Sequence, residues 1–307
     1  MILNTGGRTD TVNYFSEWLL NRFAAGYAYS RNPFHPDVVN RIDLNPRTID
    51  VVEFCSKNYR PILSRLHEIT ERFNCHFHYT ITAYDKDIEP NVPGIDESVE
   101  TLRDLSAQVG KEKIIWRYDP VLLTGKYTIE RHLATFDYMA GRIAPYVSRC
   151  LFSFVVWYKK LHLPELQPIS GQQKELIAKG LGEMAAKHHL YIQTCGTKES
   201  YEQYGIHHSG CMTHAVYEHS LGLHFKKVAE RGNRPGCRCM ESRGLGDYNT
   251  CLNGCRYCYA NYDHEKAREN YRLHDPESPL MIGHLRPTDK IVPLHQESCL
   301  DRTPMLF

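Results

Sequence analysis

Lys113-Ile114-Ile115-Trp116-Arg117-Tyr118 runs directly into Asp119-Pro120. An apolar run of strand length gives way to charge and proline, and the same texture recurs along much of the 307-residue chain. The other runs are residues 2–3, 26–30, 51–55, 76–82, 150–157 and 190–194, with a weaker one at 205–206. Segments of helical period lie between them: Phe15, Trp18, Leu19 and Phe23; Ile62, Leu63, Leu66 and Ile69; Leu176, Leu181 and Met184. Such alternation predicts a parallel sheet. Seven or eight units predict an α/β fold with a (β/α)8-like, TIM-type barrel, closed or slightly incomplete, and an open doubly wound sheet is the alternative.

Parallel α/β folds gather their chemistry at the carboxyl ends of the strands. The residues after each run here are polar: Gly6-Gly7-Arg8-Thr9-Asp10, Arg31-Asn32-Pro33, Ser56-Lys57-Asn58, Tyr84-Asp85-Lys86-Asp87, Arg117-Tyr118-Asp119, Tyr158-Lys159-Lys160 and Cys195-Gly196-Thr197-Lys198. Converging on one rim, they would line a pocket suited to a carboxylate, a phosphate or a zwitterion. Arg8, Asp10, Lys57, Arg117, Tyr118 and Asp119 are the candidate catalytic residues, with Asn32 and Asn58 as candidate cofactor contacts. Arg8 with Asp10, and Arg117 with Asp119, read equally well as salt bridges that lock the rim. Cys55, Tyr84 and Tyr118 could donate hydrogen to an intermediate or simply pack.

The composition is that of an ordinary globular protein: 42% hydrophobic, 24% charged and a formal charge of +1. Bulk attraction to nucleic acid is not implied. With no signal-peptide pattern and no apolar run of spanning length, the expected location is the cytoplasm, without membrane contact. Eleven cysteines there point to metal or catalysis rather than disulfides.

From residue 231 the helical period disappears and turn formers dominate, so a barrel domain of residues 1–230 and a cysteine-rich segment and tail of 231–307 are expected. Residues 275–307 read as an extended or partly disordered tail, with Cys299 a bystander. The segment contains Cys251-Leu252-Asn253-Gly254-Cys255-Arg256-Tyr257-Cys258, spaced Cys-x3-Cys-x2-Cys. Zinc usually takes cysteines in pairs from two knuckles, whereas a cubane accepts three thiolates from one loop. Cys251, Cys255 and Cys258 are therefore expected to bind a [4Fe-4S] cluster and to leave one iron open. Cys195, Cys211, Cys237 and Cys239 form a second candidate site, for an auxiliary cluster or zinc. In the competing arrangement Cys237 or Cys239 closes the first cluster with a fourth thiolate.

The triplet, with Tyr257 before its third cysteine, resembles the radical S-adenosylmethionine (SAM) superfamily. That resemblance implies SAM chelation at the open iron, a 5'-deoxyadenosyl radical, a small-molecule or nucleotide-like substrate, and an electron donor such as flavodoxin or ferredoxin. The superfamily's loop follows the first strand, whereas here it follows the last, so only the cysteines and Tyr257 carry over. Cys255-Arg256-Tyr257-Cys258-Tyr259 is also similar to the cluster loop of spore photoproduct lyase.

A broader likeness rests on Arg8-Thr9-Asp10, Ser16-Glu17-Trp18, Tyr29-Ser30-Arg31-Asn32-Pro33-Phe34, Ser56-Lys57-Asn58, Glu89-Pro90-Asn91-Val92-Pro93, Trp116-Arg117-Tyr118-Asp119-Pro120 and Tyr248-Asn249-Thr250-Cys251. Through these stretches residues 1–262 resemble a bacterial family known as domain of unknown function 1848.

Three functions follow from these readings. One is a radical SAM-like enzyme; another is a fully ligated iron-sulfur or zinc protein in electron transfer or structure. The third is a DNA or RNA repair or modification enzyme, suggested by the lyase likeness and by Arg231, Arg234, Arg238 and Arg243.

Overall fold

The computed structural model describes residues 1–158, 161, 163–226, 232 and 236–302. In chain order the strands are β1 (Ile2–Asn4), β2 (Tyr27–Arg31), β3 (Val38–Asp43), β4 (Val51–Ser56), β5 (Cys75–Thr80), β6 (Ile114–Val121), β7 (Arg149–Phe154), β8 (Ile192–Thr194), β9 (His207–His208), β10 (Ser242–Gly244) and β11 (Lys290–Pro293). The helices are α1 (Thr11–Tyr14), α2 (Ser16–Ala25), α3 (His67–Thr70), α4 (Ile95–Val109), α5 (Ile129–Ile143), α6 (Gly171–Lys187), α7 (His214–Leu221) and α8 (His264–Arg272). Eight strands form one sheet in the order β10-β1-β4-β5-β6-β7-β8-β9, and every pair in it is parallel.

Strand alternation divides the side chains between two environments. Val52, Phe54, Phe77, Trp116, Tyr118 and Phe152 pack in the layer beneath the helices, together with Phe136 and Met139 of α5 and Leu181 of α6. Ile2, Val51, Ile115 and Leu151 occupy the opposite, inner face. By the same period Glu53, Cys55, His76, His78, Arg117 and Asp119 also belong to that inner face. Trp116 shows why this register holds: its ring stacks on Phe136, and its indole N–H donates to the Ile81 carbonyl at 2.9 Å.

The closed barrel expected from the sequence is not formed by strand pairing, because among the described residues no pairing joins β9 to β10. The chain next to these edges still meets: the Met240 N–H donates to the Met212 carbonyl at 2.7 Å, and the Met212 N–H to Cys239 Sγ at 3.4 Å. β9 is only two residues long, and the chain between β9 and β10 carries thiols where a ladder would continue. β10 itself comes from beyond residue 230, so the segment read as an appendage contributes the last strand of the sheet.

The run at 26–30, expected as a strand of the main sheet, lies elsewhere. β2 pairs antiparallel with β3, and β3 pairs with β11. A short turn joins β2 to β3, whereas a parallel neighbour would need a crossover. The tail is docked as far as residue 302. Trp18 donates its indole N–H to the Ser278 carbonyl at 2.8 Å, and Arg31 and Asp289 form a two-pronged ion pair at 2.6 and 2.7 Å.

Tyr118 donates its hydroxyl to His132 Nδ1 at 2.7 Å, and the His132 Nε2–H donates to the Leu122 carbonyl at 2.8 Å. Burial pushes the His132 pKa down to about 4. An unfolded histidine titrates near 6.5, so the native state binds fewer protons across that interval and stability falls as pH drops from about 6.5 towards 4. Between pH 7.5 and 4.5, urea unfolding of the parent should lose about 2 kcal/mol more than that of His132→Gln. Equal losses would contradict the assignment.

Candidate metal centre

Residues 249–261 lie across the carboxyl ends of β1, β4 and β5, held by one buried knot. Asp10, just after β1, accepts from Ser56 Oγ at 2.6 Å, from the Lys57 N–H at 3.0 Å, from Asn253 Nδ2 at 2.9 Å and, as the N-cap of α1, from the Asn13 N–H at 3.1 Å. Asn253 lies midway between Cys251 and Cys255; its Oδ1 accepts from Asn13 Nδ2 and the Tyr14 hydroxyl, both at 3.1 Å. Burial pushes the Asp10 pKa up, against these four hydrogen bonds.

The loop's flanks are tied as firmly. Asn261 Oδ1 accepts the backbone N–H groups of Thr250 and Cys251 at 2.6 and 2.7 Å, while its Nδ2 donates to the Arg8 carbonyl at 3.1 Å. The Arg256 N–H donates to the Ile88 carbonyl at 3.0 Å, and its guanidinium pairs with Glu165. Gly254 has φ +71°, and a Cβ there would stand 2.8 Å from Pro90 Cγ, so both conformation and space select glycine.

Cys251 and Cys255 are buried and Cys258 is half-buried. The Asn253 N–H donates to Cys251 Sγ at 3.5 Å, and Asn261 Nδ2 to Cys258 Sγ at 3.9 Å. At Cys251 this donor opposes burial and the Asp10 carboxylate, which push the thiol up. Beside Cys255, Lys57 Nζ pairs with Glu89 Oε1 at 2.8 Å, and the same oxygen accepts from Thr82 Oγ1 at 2.8 Å and from the Tyr257 hydroxyl. Burial pulls the Lys57 pKa down, but Glu89, Cys255 and Asp10 together outweigh it and the ammonium is held up. Burial and Glu89 push the Cys255 thiol up, with Lys57 opposing. The sulfurs of Cys251, Cys255 and Cys258 do not all lie within 4.8 Å of one another. A single ion needs such close donors, whereas a polynuclear cluster spreads its ligands more widely.

Cys195, Cys211 and Cys239 are buried with their sulfurs all within 4.8 Å, and those of Cys211 and Cys239 are 3.4 Å apart. Four thiolates at about 2.3 Å from a tetrahedral zinc would stand about 3.8 Å from one another. The group could therefore hold a metal. The neighbouring sulfurs of Cys195, Cys211 and Cys237, followed by burial, push the Cys239 thiol up, which also places Cys237 at this group. A bound cation would reverse that penalty.

A third group was not anticipated from the sequence. Glu53, His76 and His78 are buried on the inner face, and their ligand atoms also all lie within 4.8 Å. Glu53 and His76 are paired in register between β4 and β5. His76 and His78 stand two apart on one strand, a signal the sequence offers, but their meeting with Glu53 depends on that register.

The family model described as Domain of unknown function (DUF1848) matches residues 2–260. The chain belongs to this family. No curated protein matches the chain.

Within this DUF1848 chain the predicted residues separate. Asp10, Lys57, Asn58 and Tyr257 come together under the loop, with Asn58 Nδ2 donating to Asn13 Oδ1 at 3.0 Å. Arg8 lies at the edge, its guanidinium 5.5 Å from the centre of the Tyr248 ring. Arg117 pairs with Asp119 and lies 3.3 Å from His78 Nδ1, and Asp119 also accepts from Ser153 Oγ. Tyr118 is a correction: it is an outward position of β6, turned to Phe136 and His132 rather than to the mouth. Asn32 is another, since its Oδ1 accepts the N–H groups of Phe34 and His35 at 2.9 and 3.3 Å and closes the β2–β3 turn. Arg243 pairs with Glu241 at 2.9 Å, which weakens the reading of a phosphate patch. Lys159, Lys160, Arg231 and Arg234 lie outside the described residues.

Asp10→Ala would leave four donors without their acceptor. It should cost at least about 3 kcal/mol in urea unfolding, and should make Cys251 and Cys255 react quickly with iodoacetamide in the folded protein. Unchanged alkylation rates in a folded variant would contradict the anchoring role.

Proposed function

We propose that Cys251, Cys255 and Cys258 hold a [4Fe-4S] cluster with one open iron, and that the protein is a radical SAM-like enzyme acting on a substrate bound at the strand ends. The observation that carries the reading is the Asp10–Asn253 bond, which joins the three-cysteine loop to the carboxyl end of β1. The donor set suits the group: three sulfurs from one glycine-containing loop, two of them receiving N–H donors, in a setting where two of the three are buried. Cys237 and Cys239 belong with Cys195 and Cys211, which argues against closure of the triplet by a fourth cysteine.

When bound, the cluster and SAM would supply an electron and a hydrogen-abstracting 5'-deoxyadenosyl radical. The chain's own part is to bind, orient and shield. Lys57 and Glu89 offer opposite charges beside Cys255, the complement of an amino acid's carboxylate and ammonium. Tyr257 fixes Glu89 through its hydroxyl and rests between the Lys57 ammonium and the Tyr84 ring, each 5.8 Å from its centre. Tyr158 donates to the Tyr257 carbonyl at 2.5 Å and so holds that residue in place. Burial of the two cysteines excludes water from the reacting side.

After anaerobic reconstitution and one-electron reduction with dithionite, the protein should give an electron paramagnetic resonance spectrum that changes on addition of SAM. Replacing all three cysteines with alanine should abolish the signal. Full iron content in the triple variant, or a spectrum indifferent to SAM, would overturn the proposal. Glu89→Gln should keep the cluster and weaken the SAM-induced change by roughly tenfold or more in SAM concentration; loss of the cluster itself would instead assign Glu89 to structure.

A further inference from the structure

The group on the inner face of β4 and β5 has no part in that reading. His76 Nδ1 lies 3.0 Å from Glu53 Oε2 and 3.2 Å from Oε1, and His78 Nε2 lies 3.4 Å from Oε1. His78 Nε2 makes no hydrogen bond in spite of that proximity, on a side chain 2% exposed. A buried polar atom without a partner costs free energy, and such sites call for an explanation. Two further features prepare the set. Tyr217 donates its hydroxyl to Glu53 Oε2 at 2.9 Å. On the other side of its ring, His78 Nδ1 lies 3.3 Å from the Arg117 guanidinium. Ligating carboxylates and imidazoles are held by such outer partners, which fix their orientation and tautomer.

We infer that Glu53, His76 and His78 bind one divalent first-row transition ion, of the iron-to-zinc class, through Glu53 Oε1 or Oε2, His76 Nδ1 and His78 Nε2. The spacing fits. With metal–ligand bonds of about 2.1 Å, donors stand about 3.0 Å apart at right angles and about 3.4 Å apart at the tetrahedral angle, the range of the three Glu53–imidazole distances. Two imidazoles and one carboxylate suit iron(II) or zinc better than magnesium or calcium, which prefer oxygen alone. An ion pair between Glu53 and His76 would satisfy His76 Nδ1 and still leave His76 Nε2 and His78 Nε2 without partners.

The test uses the full-length chain carrying Cys251→Ala, Cys255→Ala and Cys258→Ala, so that its outcome is independent of the cluster. It is incubated anaerobically with excess zinc chloride, desalted and analysed for metal. Glu53→Gln and His78→Gln, added to this parent, should each bind one equivalent fewer, while Cys55→Ser should bind as the parent does. Equal stoichiometry in parent and variants would overturn the site. If the added substitutions prevent folding, zinc-edge X-ray absorption of the parent decides. Imidazole scattering beyond the nearest shell supports the assignment; a shell of sulfur alone, or a parent that retains no zinc, overturns it.

Discussion

A carboxylate buried at the end of the first strand ties the two ends of the chain together. Asp10 takes donors from α1, from the end of β4 and from Asn253, more than two hundred residues downstream. Each bond is modest alone, but a buried carboxylate must find partners on every side or pay its full desolvation cost. The late cysteine loop is thus a structural necessity for the first strand, and the first strand is the seat of the loop. Proximity of the cysteine loop to the strand ends follows from this mutual requirement.

The parallel sheet then sorts chemistry by face. Outward positions carry Phe54, Phe77, Trp116 and Tyr118 into the helix layer, where ring packing and the hydrogen bonds of Trp116 and Tyr118 hold them. Inward positions carry Glu53, His76, His78, Arg117 and the thiols of Cys195, Cys211 and Cys239. An inner face so rich in donors is a poor apolar core, and the gap between β9 and β10 falls where these sulfurs gather. Metal ions at those donors would offset the missing ladder by adding their binding free energy to folding.

Much of the architecture was legible from the apolar runs, because β1, β4, β5, β6, β7 and β8 each announce themselves by length and by a polar end. The run at residues 26–30 misled, since a strand in a hairpin has the same local texture as one in a parallel sheet. β10 was missed because Ser242-Arg243-Gly244 is short and polar, and only its neighbour β1 makes it a strand. Tyr118 was misplaced by one position of the strand period, which turns a side chain from one face to the other. The gathering of Cys195, Cys211 and Cys239 was legible from cysteine number and position. The Glu53–His76–His78 group was not, because it depends on the register between two strands.

Iron anomalous diffraction from anaerobically reconstituted crystals tests the central claim most directly. Its prediction is a strong peak among the sulfurs of Cys251, Cys255 and Cys258, over the carboxyl ends of β1 and β4 beside Asp10 and Lys57. Iron found only at other residues, or a loop displaced from Asp10 with its cysteines unligated, would contradict it.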